Sequence, residues 1–334
     1  MKKLNTKTSM ISKLNLANLP TRIEKLDRLS KEWKTNLYVK RDDQTGSEMS
    51  GNKIRKLEYA LKEALDNECD TIITCGGIQS NHCRATVAAA TKLGLKAVVL
   101  LRVNEKPKIE GNYFLDRLFG ADVRFCTPDE YRSSRNEIMK KIADEIHGNG
   151  GKAYIVPEGA SYGIGTLGYY KCLMEIVAQE KEMGIVFNTI VVAVGSGGTY
   201  TGLYLANKFL NLGKRVIGMA VCDNEEYFKD VVNNIAQEAL PYIGEKIDID
   251  RCDIEINDKY VGTGYALSRP EELAFIAEVA RKEALVLDPV YTGKAMYGLY
   301  NELKQSTIPK SGNILFIHTG GLFGLFPKQE QFGF

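Results

Sequence analysis

From residue 71 onward, short apolar runs alternate with segments of helical spacing, and nothing else in the chain restricts its fold as much. TIITC (71–75), KAVVLL (96–101), residues 121–126 and KAYIVP (152–157) read as strands, with helices predicted between them at 80–93, 111–119 and 128–147. Runs this apolar suit strands covered on both faces. A strand–helix–strand repeat joins parallel neighbours, so the pattern predicts a parallel sheet with helices on either side. A second series follows: a helix over 165–183, NTIVVAV (188–194), a helix to 210, RVIGMAV (215–221), a helix over 225–239, an edge strand over 254–260, helices over 271–283 and 295–303, and ILFIH (314–318). Residues 158–163, rich in Gly and Ser, mark the break. At 334 residues the chain exceeds one typical core, which fits two lobes or one large α/β unit.

Ahead of the alternation, residues 1–20 read as an extended arm, 21–33 as weakly helical and LYVKR (37–41) as a short strand. The composition, 44% hydrophobic and 26% charged, is that of a soluble globular protein, and a net charge of +2 offers nothing to nucleic acid or an anionic membrane. No apolar run approaches the roughly 18 residues of a membrane span, and the first residues lack a signal-peptide core. The seven cysteines form no CxxC pair and are odd in number, so reduced thiols and a cytoplasmic setting are expected. Three histidines make a His-based metal centre improbable, and no metal is expected.

The stretch SGNKIRKLEYALKEA (50–64) carries the first candidate for chemistry. Ile54, Leu57, Ala60, Leu61 and Leu65 recur at helical spacing, with Lys56, Glu58, Lys62 and Glu63 mostly off that face. Ser50-Gly51-Asn52 is a helix-start signal, which puts Lys53 in or beside the first turn. The positive end of a helix dipole, and any desolvation, favour the free amine over the ammonium. A lysine so tuned is a nucleophile able to form a Schiff base with an aldehyde. The plainer reading is a solvated surface charge.

Four polar clusters interrupt the apolar elements at the carboxyl ends of strands, where such sheets bind ligands. GGIQSNHCR (76–84) presents Gln79, Ser80 and Asn81 at a helix start, as an anion site or simply as caps; His82 reads as a structural histidine. GSGGTYTG (195–202) offers inward-facing amides and the Ser196, Thr199 and Thr201 hydroxyls. It lacks the Lys-Ser/Thr of a nucleoside triphosphate loop, and Tyr200 takes the place of the third glycine of a dinucleotide loop, so a monophosphate is the better fit, beside a plain structural turn. DPVYTGKAMYGL (288–299) and FIHTGG (316–321) add Tyr291, Thr292 and Thr319. Lys294 is a rival Schiff-base lysine without a polar cluster beside it.

SGNKIRKLE, GGIQSNHCR, GSGGTYTG, DPVYTGKAMYGL and FIHTGG, in this order and spacing, resemble the D-cysteine desulfhydrase and 1-aminocyclopropane-1-carboxylate deaminase family of pyridoxal phosphate enzymes, within the tryptophan synthase β-like, fold-type-II group. The resemblance covers roughly residues 20–325. It implies an α/β fold of two doubly wound open sheets in two lobes, a large cofactor-binding domain of residues 1–48 and 162–334 and a small domain of 49–161. It implies pyridoxal 5′-phosphate as cofactor, bound through a Schiff base to Lys53. Gly195, Ser196, Gly197, Gly198 and Thr199 would take the phosphate, Asn81 the ring hydroxyl, and Thr292 and Thr319 further cofactor contacts. Gln79, Ser80 and Asn81 would hold the substrate carboxylate, with Gly159, Tyr265 and Tyr291 lining the reacting face. Lys53, Ser80 and Tyr291 would be the catalytic residues, the substrate a small amino acid and the assembly a homodimer.

Within this family the deaminases carry Glu after the active-site Tyr, where this chain has Thr292. A carboxylate near the pyridine nitrogen strengthens the electron sink needed to open an unactivated ring, whereas a hydroxyl suits expulsion of a good β-leaving group. The resemblance therefore points to α,β-elimination of D-cysteine to pyruvate, ammonia and hydrogen sulfide. The deaminase, an L-cysteate sulfo-lyase and a non-catalytic pyridoxal phosphate or nucleotide-binding protein are the other readings.

Overall fold

The computed structural model describes residues 11–244 and 246–333. The first half of the expected N-terminal arm lies outside these residues; residues 11–20 carry no regular structure, and Leu14 N donates to Glu58 O (3.0 Å). In chain order the elements are β1 (Ile23–Lys25), α1 (Asp27–Trp33), β2 (Asn36–Lys40), α2 (Lys53–Asp66), β3 (Thr71–Gly77), α3 (Asn81–Lys92), β4 (Lys96–Arg102), α4 (Gly111–Leu118), β5 (Asp122–Cys126), α5 (Pro128–Gly148) and β6 (Ala153–Ile155). Then come α6 (Gly163–Met183), β7 (Phe187–Val194), α7 (Gly198–Leu210), β8 (Arg215–Ala220), α8 (Glu225–Ile243), β9 (Glu255–Asn257), α9 (Pro270–Glu283), α10 (Thr292–Lys304), β10 (Asn313–Ile317) and α11 (Leu322–Leu325).

The first apolar series forms a four-stranded sheet in the order β5-β4-β3-β6, parallel throughout. The second forms a six-stranded sheet, β1-β2-β10-β7-β8-β9, parallel apart from the β1–β2 pair. Apolar side chains pack on both faces of each sheet. On the large sheet Tyr169, Leu173, Leu203 and Phe228 cover one face, and Trp33, Phe275, Val279 and Leu299 the other. On the small sheet Leu57, Leu61 and Val87 lie on one side, Tyr131, Met139 and Ile142 on the other. Burial on both faces is why these strands read as unbroken apolar runs. The architecture is thus α/β with two doubly wound sheets.

Two local expectations are corrected. Residues 21–33, expected to be weakly helical, divide into β1 and α1, because Ile23 to Lys25 find antiparallel partners in Lys40 to Tyr38, a pairing invisible to local periodicity. In α2, Lys56 and Glu58 were placed off the apolar face but are 0% and 1% exposed. The helix is enclosed by α3 and α6, by the N-terminal arm and by the turn after β6. Lys56 Nζ donates to Gly159 O (2.7 Å) and Ser161 Oγ (2.9 Å), and Glu58 accepts the amides of Leu16 and Ala17 (2.9 Å each). Buried charges persist only when so bonded.

Candidate active site

The carboxyl ends of β3, β6, β7 and β10 converge with the start of α2 on one cavity, lined by Asn52, Lys53, Asn81, His82, Glu158, residues 193–197, Thr199, Tyr200, Tyr265, Tyr291, Thr319 and Gly320. Lys53 is the first residue of α2. Burial lowers its pKa to about 8, the Glu158 carboxylate opposing the shift. Gly159, with φ +68°, makes the close approach possible: a Cβ there would come 2.3 Å from Ser196 Oγ and 3.3 Å from Lys53 Nζ. The rival Lys294 lies away from the cavity, its Nζ donating to Val261 O and Gly264 O (2.6 Å each).

Opposite Lys53, Gly195 to Gly197 link β7 to α7, whose first amides have no carbonyl one turn back to bond. Ser161 Oγ ties this loop down, meeting Ser196 Oγ at 2.8 Å and accepting from Gly198 N at 3.2 Å. Gly198 is bare because a Cβ would strike Lys56 Nζ and Ser161 at 2.8–2.9 Å. Amides, hydroxyls and a helix N-terminus with no acid among them are a donor set for a phosphate. The buried amine of Lys53 in the same cavity suits an aldehyde. These residues therefore fit pyridoxal phosphate.

The other expected residues are placed unevenly. Asn81 lines the cavity, its Oδ1 accepting from Asn112 Nδ2 (2.9 Å). Ser80 Oγ caps α3 by accepting from Cys83 N (3.2 Å), which leaves its own proton free. Gln79 is turned away, bonded to Glu110 O (3.1 Å) and Asn112 N (2.9 Å). Thr292 is fully buried with its hydroxyl on Asp288 Oδ1 (2.7 Å) and is not part of the lining. Of these two expected threonines, Thr319 does border the cavity. Tyr265 and Tyr291 stand edge to face, ring centroids 6.0 Å apart at 72°, with hydroxyl oxygens 2.5 Å apart. Tyr265 is the easier of the two to ionise, pushed by burial to about 12, whereas burial drives Tyr291 well above the ordinary phenol.

Among the lining residues that sequence reasoning passed over, Glu158, His82 and Asn52 bear on the chemistry. Glu158 follows the last strand of the first series, the position from which β–α turns supply ligands, and that is the signal it offered. His82, read as structural, lines the cavity, and its Nε2 lies 2.7 Å from Thr74 Oγ1. Burial, with Lys53 and Lys56 nearby, keeps it neutral. Asn52 was read as part of a helix cap, yet it makes no side-chain cap bond; its Nδ2 donates to Thr199 Oγ1 across the cavity (3.0 Å). Asn52→Ala should therefore weaken cofactor retention about fivefold, roughly the 1 kcal/mol of one hydrogen bond, in a fluorescence titration with pyridoxal phosphate.

Two open, mostly parallel sheets meeting at a glycine loop, with an amine-bearing helix start, define a fold-type-II pyridoxal phosphate enzyme, and residues 14–320 match the family model described as pyridoxal-phosphate dependent enzyme. The chain belongs to that family and, within it, to the D-cysteine desulfhydrase/1-aminocyclopropane-1-carboxylate deaminase group of lyases, with pyridoxal phosphate as cofactor. It is 41% identical over 326 residues to the Arabidopsis thaliana mitochondrial bifunctional D-cysteine desulfhydrase/1-aminocyclopropane-1-carboxylate deaminase, covering 95% of this chain and 80% of that one. It is 39% identical to the D-cysteine desulfhydrase of Yersinia enterocolitica (98% and 99% covered), and 41% identical to a putative 1-aminocyclopropane-1-carboxylate deaminase of Pyrococcus abyssi (98% and 97%). Among solved structures, an ACC deaminase homologue superposes with a TM-score of 0.90 at 38% identity, covering 98% of this chain and 97% of that one. A T.th. threonine deaminase, at 17% identity and a TM-score of 0.63 (90% and 92% covered), shares the fold. Among the described residues no helix is long and apolar enough to cross a membrane, and all seven cysteines are free.

Proposed function

We propose that this enzyme eliminates sulfide from D-cysteine, consuming water and yielding pyruvate, ammonia and hydrogen sulfide. The observation that carries this reading is the neutral hydroxyl of Thr319 at the β10 end of the cavity; the residue after Tyr291, where the deaminase pattern has Glu, is Thr292, held by Asp288 outside the lining. Among the described lining residues Glu158 is the one carboxylate, and it comes from the β6 side. Pyridoxal phosphate, when bound, supplies the electron sink that stabilises negative charge at the substrate Cα.

The chain's own residues would divide the work as follows. The loop from Gly195 to Thr199, with Asn52, holds the phosphate. Asn81 orients the substrate carboxylate from the cavity wall and fixes the Cα–H bond relative to Lys53, with Ser80 behind it capping α3. The Lys53 amine, its pKa lowered by burial, takes the Cα proton as general base. As the C–S bond breaks, its electron pair leaves with sulfur, and the Tyr265–Tyr291 hydroxyl pair delivers a proton to it. Expulsion of a thiolate asks less of the electron sink than opening a cyclopropane, so neutral hydroxyls suffice.

A product assay decides between the sister activities. With D-cysteine, sulfide and pyruvate should form in equal amounts, at a kcat/KM at least tenfold above those for L-cysteine and 1-aminocyclopropane-1-carboxylate. Formation of 2-oxobutyrate from the cyclopropane substrate as the dominant activity would replace this reading with the deaminase, and sulfite from L-cysteate would replace it with the sulfo-lyase.

A further inference from the structure

Arg102 touches a ring of the cavity wall without lining the cavity itself. Arg102, the last residue of β4, has its guanidinium carbon 5.0 Å from the ring centre of Tyr131 on α5 and 5.4 Å from that of Tyr265. Its N–H groups have no hydrogen-bond partner among the described residues, and its guanidinium lies against the faces of the two rings. Tyr131 is a fixed platform: it is 3% exposed, its hydroxyl meets Cys75 Sγ at 3.6 Å, and Arg135 covers it at 5.2 Å. Arg135 in turn lies 4.0 Å from Glu158. Arg102 also pairs in register with Gly77, where an added Cβ would be 3.8 Å from both the Arg102 guanidinium and the Tyr265 ring. A stack of alternating cations and rings thus runs from Glu158 through Arg135, Tyr131 and Arg102 to Tyr265. Arg102–Tyr265 is the contact by which it leaves the small-sheet elements.

We infer that Arg102 is a positioning residue for the elimination proposed above: it holds the Tyr265 ring so that the Tyr265 and Tyr291 hydroxyls stay paired and aimed at the departing sulfur. Tyr265 lies on the irregular segment between β9 and α9, so no helix or strand fixes the direction in which its ring presents a face. A guanidinium over that face supplies both orientation and attraction. The charged and titratable groups acting on Tyr265 are Tyr291, Glu158, Arg102 and Cys222, of which Arg102 is the cation.

A test follows from leaving-group chemistry. Sulfide must be protonated as it leaves D-cysteine; chloride leaving β-chloro-D-alanine need not be. In the cofactor-loaded full-length enzyme, Arg102→Met should lower kcat for D-cysteine about tenfold while KM changes less than about twofold, and should leave kcat for β-chloro-D-alanine within about twofold of wild type. Arg102→Lys, which restores a cation without the flat stacking surface, should recover part of the loss. Equal losses with both substrates, or a tenfold rise in KM at unchanged kcat, overturn the positioning role. Should Arg102→Met fail to fold, Arg102→Lys carries the same comparison. The inference rests on the elimination reading, and a second measurement separates their failures. In urea unfolding of the full chain, Arg102→Met should shift the midpoint at most half as much in a Tyr265→Leu background as in wild type. Wild-type enzyme inert toward both substrates would sink the elimination; additive midpoints would sink the Arg102–Tyr265 contact.

Discussion

Lys53→Ala should abolish both turnover and the yellow colour of the purified protein. Two contributions vanish together. The variant has no amine to form the covalent link to the cofactor aldehyde, and no base within reach of the substrate Cα. General-base catalysis by itself contributes about 10²- to 10⁴-fold, so kcat should fall by roughly a thousandfold or more. Borohydride reduction followed by peptide mass spectrometry should find the cofactor on the Lys53 peptide in wild type and nowhere in the variant. An active, yellow variant would end the assignment. The depressed pKa adds a pH signature. At pH 7 a lysine of pKa about 8 is free amine in about one molecule in ten, against about one in a few thousand for an ordinary lysine. Burial lowers the pKa, so the reactive form grows as pH rises through about 8 and then levels. Recombination of cofactor-free protein with pyridoxal phosphate should accelerate over that range. A rate still climbing toward pH 10 would mean that Lys53 is hydrated.

Asp42→Ala should cost about 3 kcal/mol of stability, because it strips the fully buried one of two counter-charges from a buried arginine. Asp42 is 0% exposed and accepts from Arg55 Nη2 (2.8 Å), Arg55 Nε (2.9 Å), Thr21 Oγ1 (2.7 Å) and Tyr169 hydroxyl (2.5 Å). Glu175 joins from α6, pairing with Arg55 (2.9 Å) and Lys40 (2.5 Å). This network pins α2, and with it Lys53, to β2 and α6. Replacing the pair together, Asp42→Leu with Arg55→Met, should recover much of the loss, since burying neither charge is cheaper than burying one. Urea midpoints measure both. The network also sets the acid limit. Burial alone would raise the Asp42 pKa, but the Arg55 charge and hydrogen bonds, with Lys40 and Tyr169, hold it below the usual carboxylate value. A folded-state pKa below the unfolded one gives stabilisation that is complete above the ordinary carboxylate range and is lost as pH falls through the folded value. Wild type should therefore lose stability steeply below about pH 4, and Asp42→Ala less so.

Much of the framework could be read without coordinates. NTIVVAV became β7 within one residue of the expected start, and the helix that opens on Lys53 was placed from Ser50-Gly51-Asn52 and the apolar spacing behind it. The glycine loop after β7 was legible because a strand ending in bare glycines before a helix has few other uses. Site membership was less legible. Gln79, Ser80 and Asn81 are consecutive, yet only Asn81 lines the cavity, since the turn into α3 points successive side chains in different directions. Thr292 and Thr319 offer the same hydroxyl, but only Thr319 follows a strand, β10; the expected strand before Thr292 is irregular backbone leading into α10. Asp288, four residues before Thr292, captures one of them and leaves the other facing the cavity.

The features legible along the chain are periodic and local: the strand–helix alternation, the glycine turns and the position of Lys53 at a helix start. These follow from side-chain spacings of two to four residues, and every such spacing is contained in the chain order. Long-range packing buries Lys56 and Glu58, brings Asn52 to Thr199 and lays Arg102 over Tyr265. Each of those outcomes depends on which distant segment displaces water from a given side chain. Desolvation sets the Lys53 amine near pH 8, and it is a property of the enclosing fold that no local pattern encodes.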